Sequence, residues 1–228
     1  MRHNILRITL VAALTGLSFM ALAQQPSKTA QSMKAQGYVG IQEVDPSIRV
    51  SLMYTRPDNF TGKVLYTDLR EAYLHPQAAE ALKKAQAELK KTHPEWSLIV
   101  YDAARPMSVQ QKMWDVVKGT SKRIYVSNPA NGGGLHNYGF AVDVSICDEK
   151  GDTIPMGTII DHLGREAHPE LEAEMVRRGV ITPESVENRK LLRRVMAAGG
   201  YKVLKTEWWH FNWKTRKQVK AEGRKAIR

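Results

Sequence analysis

The sequence predicts a single α+β domain in which helices flank a mainly antiparallel central sheet. With 228 residues, the chain is long enough for one well-buried domain and too short for two of ordinary size. Hydrophobic residues make up 43% of it and charged residues 25%, proportions that are typical of a globular protein and argue against extended disorder. Short strand-like apolar segments are interspersed with longer helix-like segments, and no internal repeat interrupts them.

The N-terminal segment has the three parts of a secretory signal peptide. Arg2 and Arg7 supply positive charge, residues 8–22 are almost free of polar side chains, and a small-x-small pattern follows. The alternative is a buried N-terminal helix. We predict a signal peptide over residues 1–23 and a polar linker over residues 24–37. The apolar run is short for a membrane span, so the sequence predicts a periplasmic protein without a stable membrane anchor.

Two strands and two helices are predicted in the first half of the mature chain. Alternating apolar and polar side chains over Ile48–Tyr54 indicate a half-buried strand. A proline that can begin a helix, followed by Ala, Leu and Lys, predicts a helix over Pro76–Lys91. The apolar segment Ser97–Tyr101 predicts a buried strand that ends before Pro106. A serine cap predicts the next helix over Ser108–Lys118.

The second half of the chain begins with a glycine-rich loop over residues 127–134. Its three consecutive glycines permit close backbone approach, although a plain flexible connector is an equal alternative. A strand is predicted over Ala141–Ile146, and a helix begins at Thr182-Pro183 and ends at Gly199. Two short strands are then predicted near a turn, at Tyr201–Leu204 and Glu207–Trp213.

The chain is strongly basic, with a formal net charge of +11. Only residues 214–228 concentrate this charge, and we interpret them as a solvated basic tail rather than as a dedicated binding site. Export disfavours nucleic acid as a partner. Cys147 is the only cysteine, so no intrachain disulfide can form, and its place in an apolar alternation predicts a buried side chain. The sequence does not predict an oligomeric state.

Four side chains in two motifs suggest a zinc hydrolase. His136 and Asp143 in a His-x6-Asp pattern, with His210, form a three-ligand set that leaves a fourth position for water. Glu207, three residues before His210, is a candidate base for that water. The His-x6-Asp pattern alone is weak, because a histidine beside glycines is often only a polar loop residue. Glu207 and His210 share a face on a helix, but on a strand they need a bulge or a strand end.

Arg105 is a candidate for the stabilisation of an oxyanion. It follows a predicted buried strand, and functional side chains often occupy such a position because it can overlook a cleft. An arginine is permanently charged and can share the negative charge of a tetrahedral intermediate with a metal ion. An ordinary surface arginine is an equal alternative at this point.

Several short motifs, which follow one another over roughly residues 40 to 213, together resemble those of a known family. These motifs are Tyr54, Asn59-Phe-Thr-Gly62, Tyr101-Asp-Ala-Ala-Arg105-Pro106, His136-x6-Asp143, Pro155-Met156-Gly157, Asn188-Arg189 and Glu207-Trp-Trp-His210. Together they resemble the VanX-type D-alanyl-D-alanine dipeptidases. Those enzymes belong to the zinc D,D-peptidase family, whose fold is shared with the Hedgehog signalling domain. A Hedgehog/D,D-peptidase-like domain over residues 38–213 is therefore expected.

The resemblance implies one zinc ion per chain and hydrolysis of the D-alanyl-D-alanine dipeptide or a related small peptide. It assigns His136, Asp143 and His210 as the zinc ligands. Glu207 is the implied catalytic base, and Arg105 is the implied transition-state arginine. Asp161 and Tyr54 are the residues implied at the substrate's amino end. In an exported protein, salvage or turnover of wall-derived peptides is the expected role.

This chain departs from the family pattern at two positions. Gly134 stands where a serine is expected, and Ala104 stands where an aromatic residue is expected. The missing hydroxyl and the missing ring predict a roomier substrate pocket. One alternative is therefore a D,D-carboxypeptidase or endopeptidase that acts on peptidoglycan stem peptides. A non-catalytic, zinc-containing wall-binding module is a further alternative, since folds of this type can lose catalysis.

Overall fold

The computed structural model describes residues 26–228. The predicted signal peptide, residues 1–23, lies outside the described residues. Within the described part of the chain, no helix is long and apolar enough to cross a membrane.

Within residues 26–228, seven strands form two sheets. They are β1 (Val39–Gly40), β2 (Arg49–Val50), β3 (Tyr73–Leu74), β4 (Ser97–Asp102), β5 (Ala141–Cys147), β6 (Lys202–Leu204) and β7 (Glu207–Asn212). The larger sheet has five strands in the order β2-β4-β5-β7-β6, and only the β2–β4 pair is parallel. β1 and β3 pair separately in an antiparallel ribbon. The central β5 is buried along its whole length, so the sheet lies inside the domain.

In the described part of the chain, seven α-helices and several short 3-10 helices surround the sheet. The α-helices are α1 (Lys28–Ala35), α2 (Ile41–Val44), α3 (Pro76–Thr92), α4 (Met107–Val117), α5 (Glu172–Arg177), α6 (Pro183–Ala198) and α7 (Arg216–Ala221). The 3-10 helices are Met53–Thr55, Ser121–Tyr125, Pro129–Asn131, Leu135–Tyr138, Arg165–Ala167 and Pro169–Leu171. Helices and sheet together confirm a mixed α+β domain.

The two longest helices begin as their sequences predict and pack against each other. A proline occupies the first turn of both α3 and α6, and Thr182 caps α6 by accepting a hydrogen bond from the Ser185 amide. A Cβ atom at Gly199 would lie 2.2 Å from the carbonyl oxygen of Ala81. Glycine at this position therefore allows the end of α6 to approach the backbone of α3.

The prediction of a linker over residues 24–37 is wrong in its central part. Residues 28–35 form α1, which Ser27 caps. Ala30 and Met33, three positions apart, are buried on one face, and the Thr29 hydroxyl donates to Asp68 at 2.7 Å. Only two apolar side chains anchor this helix, so its mostly polar composition concealed it.

The prediction of a solvated tail over residues 214–228 is also wrong. Thr215 and Gln218 form a capping box that starts α7, and Val219 and Ile227 are buried. The backbone N–H of Ile227 donates to the Asn137 carbonyl at 2.8 Å. We call residues 214–228 the C-terminal strap. Its two apolar anchors are separated by basic residues, which made the segment resemble a solvated one.

The first predicted strand, Ile48–Tyr54, is shorter than expected. Pairing is limited to Arg49–Val50, and the chain then turns into the 3-10 helix Met53–Thr55. Tyr54 is nevertheless buried, with 1% of its surface exposed. The predicted burial of Cys147 is confirmed.

Candidate metal centre and active site

Three neighbouring strands bring acidic and imidazole side chains into one row. Asp143 on β5 pairs directly with His210 on β7, and Asp102 on β4 pairs with Asp143 on its other side. Residues that face each other across adjacent strands share one face of the sheet. Strand register therefore brings two of the predicted metal ligands together, although 67 residues separate them in sequence.

His136 reaches the same point from the glycine-rich loop. It lies in the 3-10 helix Leu135–Tyr138, which ends at Gly139 in a left-handed conformation with φ of 68°. A Cβ atom at Gly139 would lie 2.6 Å from the Tyr38 ring, so glycine is needed both for the turn and for the close approach. The chain then enters β5 directly, which brings His136 beside Asp143.

The three predicted ligands converge closely. His136 Nε2 lies 3.1 Å from His210 Nδ1 and 3.3 Å from Asp143 Oδ1, and His210 Nδ1 lies 3.0 Å from Asp143 Oδ1. His136 and Asp143 are 4% and 3% exposed. This convergence of one carboxylate and two imidazoles at one buried point matches a metal-binding donor set.

The second nitrogen of each imidazole ring is already used. His136 Nδ1 donates to the Ala103 carbonyl at 2.7 Å, and His210 Nε2 lies 3.0 Å from Asn212 Oδ1. These bonds leave His136 Nε2 and His210 Nδ1 with free lone pairs, as metal ligation requires. Burial opposes ionisation of Asp143, but His136 and His210 outweigh it and hold the pKa of this carboxyl well below its usual range. The donor set therefore fits a divalent metal ion.

Glu207 lies at the edge of this cluster, with Oε2 3.9 Å from His210 Nδ1. The pairing of β6 with β7 shifts register between Val203 and Leu204, which is the predicted irregularity that lets Glu207 and His210 face one pocket. The pKa of Glu207 is raised to about 8, because burial and the nearby Asp143 carboxylate outweigh the opposing effect of His210. A carboxyl with a raised pKa in a pocket is suited to proton transfer.

Arg105 is held by a network inside the pocket and is not a surface arginine. Its Nε donates to Asp102 Oδ2 at 2.8 Å, its Nη1 donates to Gln110 Oε1 at 2.9 Å, and its side chain is 9% exposed. Tyr66 donates its hydroxyl to the other oxygen of Asp102 at 2.5 Å. Arg105 Nη2 lies 3.7 Å from Asp143 Oδ2, so the guanidinium borders the metal ligands.

Asp161 and Tyr54 form a second acidic group in the pocket. The Tyr54 hydroxyl lies 2.9 and 3.0 Å from the two oxygens of Asp161. Burial raises the pKa of Asp161 to about 7, and the Asp143 carboxylate adds to this rise. Asp161 also has a φ of 64°, a left-handed backbone conformation that residues other than glycine rarely adopt. A strained backbone at such a position is common at ligand-binding sites.

The segment that carries Asp161 is fixed by the Asn188-Arg189 pair of α6. Asn188 Nδ2 donates to the Pro155 carbonyl, and Arg189 Nε donates to the Met156 carbonyl, both at 2.7 Å. Arg189 is fully buried and also donates to the Glu166 carbonyl at 3.1 Å. The Pro-Met-Gly and Asn-Arg motifs are therefore partners that position the Asp161 segment.

One small pocket brings together all seven residues that the sequence nominated. Its volume is about 260 Å³. The nominated residues in its lining are Tyr54, Arg105, His136, Asp143, Asp161, Glu207 and His210. Trp208 and Trp209 do not line it; each is 1% exposed, and their rings pack edge-to-face at 5.4 Å. The tryptophans are therefore core residues.

Sequence reasoning overlooked three residues that hold the site. Asp102 and Gln110 orient Arg105, and Asn212 orients His210. Two of these had a local signal. Asp102 is part of the Tyr-Asp-Ala-Ala-Arg motif, and Asn212 follows His210 by two positions, which on a strand places both on one face. Gln110 had no such signal, because its contact depends on the turn between β4 and α4.

Two observations bear on the expectation of extra room at Gly134 and Ala104. A Cβ atom at Gly134 would lie 3.0 Å from the hydroxyl oxygen of Ser127, so the space beside this glycine is already occupied by a hydroxyl. Ala104 is 3% exposed and does not line the pocket, and its N–H donates to the Tyr73 carbonyl at 2.8 Å. Ala104 itself is therefore not part of the pocket wall.

Comparison with known proteins agrees with this geometry. Residues 34–221 match the peptidase family described as D-ala-D-ala dipeptidase. The D-alanyl-D-alanine dipeptidase of Escherichia coli is 30% identical over 173 residues, which cover 76% of this chain and 82% of the relative. The D-alanyl-D-alanine dipeptidases of Enterococcus faecium and Enterococcus faecalis are 25% and 22% identical, and each match covers 77% of this chain and 90% of the relative.

Proposed function

This chain belongs to the D-Ala-D-Ala dipeptidase family of metallopeptidases, and from that premise we propose that it hydrolyses free D-alanyl-D-alanine with one zinc ion per chain. The observation that carries this proposal is the convergence of the metal-ligand set, Glu207, Arg105 and the Asp161–Tyr54 pair on one pocket of about 260 Å³. A pocket of this size lies below the usual range for drug-sized ligands and suits a very small peptide.

His136, Asp143 and His210 would hold the zinc ion. Two imidazoles and one carboxylate are common ligands of catalytic zinc, and when bound the ion supplies Lewis acidity to a water molecule and to the scissile carbonyl. Ala103 and Asn212 fix the rings so that His136 Nε2 and His210 Nδ1 present their lone pairs. These hydrogen bonds also make the imidazole rings more basic and therefore stronger metal ligands.

Glu207 is the proposed general base and then the general acid. Its carboxylate accepts a proton from the attacking water and delivers it to the nitrogen of the leaving amine. The residue is 7% exposed and forms no side-chain hydrogen bond with residues 26–228, so its oxygens are available to water. Burial raises the pKa of Glu207, and a zinc ion bound beside it would favour the ionised form that accepts the proton.

Arg105 is proposed to stabilise the oxyanion that develops on the scissile carbonyl. Asp102 and Gln110 hold the guanidinium in a fixed position before the substrate binds. A preorganised donor of this kind does not have to reorient when charge develops, which is why it favours the transition state. The short bond from Tyr66 to Asp102 extends this support to a second buried residue.

Asp161 and Tyr54 are proposed to receive the ammonium group of the substrate. Within residues 26–228, Asp161 is hydrogen-bonded to neither histidine nor arginine, and both of its carboxylate oxygens face the Tyr54 hydroxyl. Burial raises its pKa to about 7, and an ammonium group that binds beside it would lower this pKa, so binding favours the charged pair. A peptide with a blocked amino end cannot form this pair.

We further propose that the enzyme acts in the periplasm, in salvage or turnover of wall-derived peptides. The predicted signal peptide supports this setting. Family membership, together with Glu207 and Arg105 in the pocket, favours catalysis over a non-catalytic wall-binding module. The Asp161–Tyr54 pair favours a dipeptide over a long stem peptide, which has no ammonium group beside its terminal D,D bond.

A dipeptide panel tests the proposal. Purified, zinc-loaded protein is assayed with the four Ala-Ala stereoisomers, with N-acetyl-D-Ala-D-Ala and with a muropeptide. We expect D-Ala-D-Ala to be cleaved fastest and the N-acetyl form to be cleaved at least about tenfold more slowly, because it lacks the charge that pairs with Asp161. Equal rates for the free and acetylated dipeptides would contradict the role of Asp161. Cleavage of the muropeptide alone would favour the carboxypeptidase or endopeptidase alternative.

A further inference from the structure

The C-terminal strap concentrates positive charge that the proposed chemistry does not use. It contains seven lysine and arginine residues and one acidic residue, Glu222. We propose that the exposed cations of the strap line a groove that binds the carboxylate-bearing peptidoglycan polymer of the cell wall. This surface lies outside the catalytic pocket, and the choice of polymer rests on the setting given under the proposed function.

Most cations of the strap have no carboxylate partner. Lys214 and Arg224 share Glu222, and the Arg224 Nε lies 3.1 Å from a carboxylate oxygen of that residue. The other five cations are exposed and form no ion pair within residues 26–228; they are Arg216, Lys217, Lys220, Lys225 and Arg228. Exposed cations without a counter-charge are available to an anionic partner.

Shared residues join two depressions along the strap to the catalytic pocket. Leu135 and Arg216 line both the catalytic pocket and a neighbouring depression of about 320 Å³. Tyr138 and Arg224 line both that depression and a second one of about 640 Å³, which reaches the C-terminal end of α1. We call the two depressions the strap groove. Because the groove runs away from the rim of the catalytic pocket, it suits an extended chain.

The strap groove is cationic over its whole length. Lys220 lines its first depression, Lys225 and Arg228 line its second, and Arg224 lines both. Neither lining, in the part of the chain that the structure describes, includes an aspartate or a glutamate. The catalytic pocket, in contrast, is lined by three acidic residues. An anionic polymer is therefore attracted to the strap groove and repelled from the catalytic pocket.

The strap groove also offers a neutral donor on a fixed support. Tyr38 lines the second depression, and burial raises the pKa of its hydroxyl, which therefore stays protonated and can donate to a carboxylate. The guanidinium of Arg224 lies 5.9 Å from the centre of the Phe140 ring. The hydrogen bond from the Ile227 N–H to the Asn137 carbonyl ties the strap to the domain. The cations are thus held in place before a polymer binds.

An anionic lipid surface fits this groove less well than a polymer does. Peripheral binding to a bilayer combines basic residues with apolar side chains that enter the headgroup region. The two large apolar side chains of the strap, Val219 and Ile227, are only 4% and 1% exposed. A concave groove also contacts a thin chain along both walls, whereas a flat bilayer touches only the rims. The geometry therefore favours a polymer over a bilayer.

Binding of the polymer would retain the enzyme near the wall from which its substrates are released. Retention raises the local concentration of enzyme around wall-derived dipeptides and needs no additional contact in the catalytic pocket. The strap groove is therefore expected to determine where the enzyme acts, and not how fast it cleaves a free dipeptide.

Co-sedimentation with sacculi, the insoluble peptidoglycan purified from cell walls, tests this inference. The test compares wild type with the double variant Lys220→Gln/Lys225→Gln and with the control Lys83→Gln/Lys84→Gln. The control removes the same charge from two exposed lysines of α3 that line neither depression. Each exposed cation near an anionic surface contributes severalfold to affinity, so we expect the strap variant to bind about tenfold more weakly at low salt. The control should bind within about twofold of wild type.

Two further probes identify the chemistry of the partner. Sacculi whose carboxylates have been converted to amides should lose most of the binding of wild type, because the groove then meets no negative charge. Equal binding of wild type and the strap variant, or undiminished binding to amidated sacculi, would overturn the strap groove as a polymer site. Binding to vesicles of phosphatidylglycerol and phosphatidylethanolamine without binding to sacculi would also overturn it and would assign these cations to a lipid surface.

Hydrolysis of free D-Ala-D-Ala separates this inference from the proposed function. Neither Lys220 nor Lys225 lines the catalytic pocket, so hydrolysis by the strap variant also checks that the pocket remains folded. If wild type cleaves the dipeptide but does not bind sacculi, the strap groove is wrong and the dipeptidase stands. If wild type binds sacculi through these lysines but cleaves no dipeptide, the strap groove stands and the proposed function is wrong.

Discussion

The two imidazole rings of the metal site are each fixed by one hydrogen bond on the side away from the ligand cluster. For His136 the acceptor is a backbone carbonyl, which no substitution at Ala103 can remove. For His210 the acceptor is the side chain of Asn212, which makes this bond accessible to mutation. Substitution of Asn212 can therefore test directly whether a hydrogen bond at the second ring nitrogen prepares His210 to bind metal.

Replacement of Asn212 by Ala should weaken metal binding by about 10- to 100-fold, because His210 loses the acceptor that fixes its ring and its tautomer. Competition with a chromophoric chelator measures this affinity without reference to catalysis. Asn212→Asp is the matched control, since a carboxylate oxygen can accept the same bond and should retain most of the affinity. Wild-type affinity in Asn212→Ala would show that the bond does not prepare the ligand.

Positions of the charged residues also explain the unusual protonation behaviour of the pocket. The pKa values of Glu207 and Asp161 are raised to about 8 and about 7, first by burial and then by neighbouring carboxylates. A positive charge beside either carboxyl group would favour its ionised form. In the proposed mechanism, the metal ion provides this charge for Glu207 and the substrate's ammonium group provides it for Asp161. Carboxyl groups with raised pKa values favour a cationic group beside them and disfavour an additional anion.

At the scale of secondary structure, the C-terminal strap supports the loops that carry the catalytic residues. The Ile227 N–H donates to the Asn137 carbonyl at 2.8 Å, and the Met107 N–H donates to the Ile227 carbonyl at 2.9 Å. Asn137 follows the ligand His136, and its side chain donates to the Arg105 carbonyl at 2.8 Å. The strap thus links the metal-ligand loop to the start of α4.

Ile227→Ala should lower the free energy of unfolding by about 2 kcal/mol, since a side chain that is 1% exposed loses its apolar contacts. Urea denaturation followed by tryptophan fluorescence measures the change. Lys225→Ala, an exposed position in the same strap, is the control and should change stability by less than about 0.5 kcal/mol. Equal, small effects from both substitutions would show that the strap is not part of the cooperative fold.

At the scale of the whole molecule, local signals in the sequence specified the long elements. α3 and α6 begin with a proline in the first turn, β5 is an unbroken apolar alternation, and the Glu207–Trp213 segment forms β7 as expected. Two of the elements that were missed, α1 and the strap, each have only two buried apolar side chains among many polar ones. Their burial depends on the surface that the rest of the chain provides, which no local pattern reports.

The site residues also divide into those that local sequence motifs indicated and those whose positions depend on the rest of the fold. His136, Asp143, His210, Glu207 and Arg105 were nominated from residue type and motif, and the structure brings all five into one pocket. Asp161 and Tyr54 were nominated only through the family resemblance. The positions of Gln110, Ser127 and Arg216 could not be foreseen, because they depend on how the loop at 127–134 folds against α4 and α7.

The central claim is that a metal ion on His136, Asp143 and His210 acts with Glu207 to hydrolyse a free D,D-dipeptide. The most direct measurement is the release of D-alanine from D-Ala-D-Ala by wild type and Glu207→Gln at equal metal content. We predict one zinc ion per chain in both proteins and a fall in kcat of about 10²- to 10⁴-fold in the variant, the usual contribution of a general base. A variant that retains its zinc and cleaves the dipeptide at the wild-type rate would contradict the account.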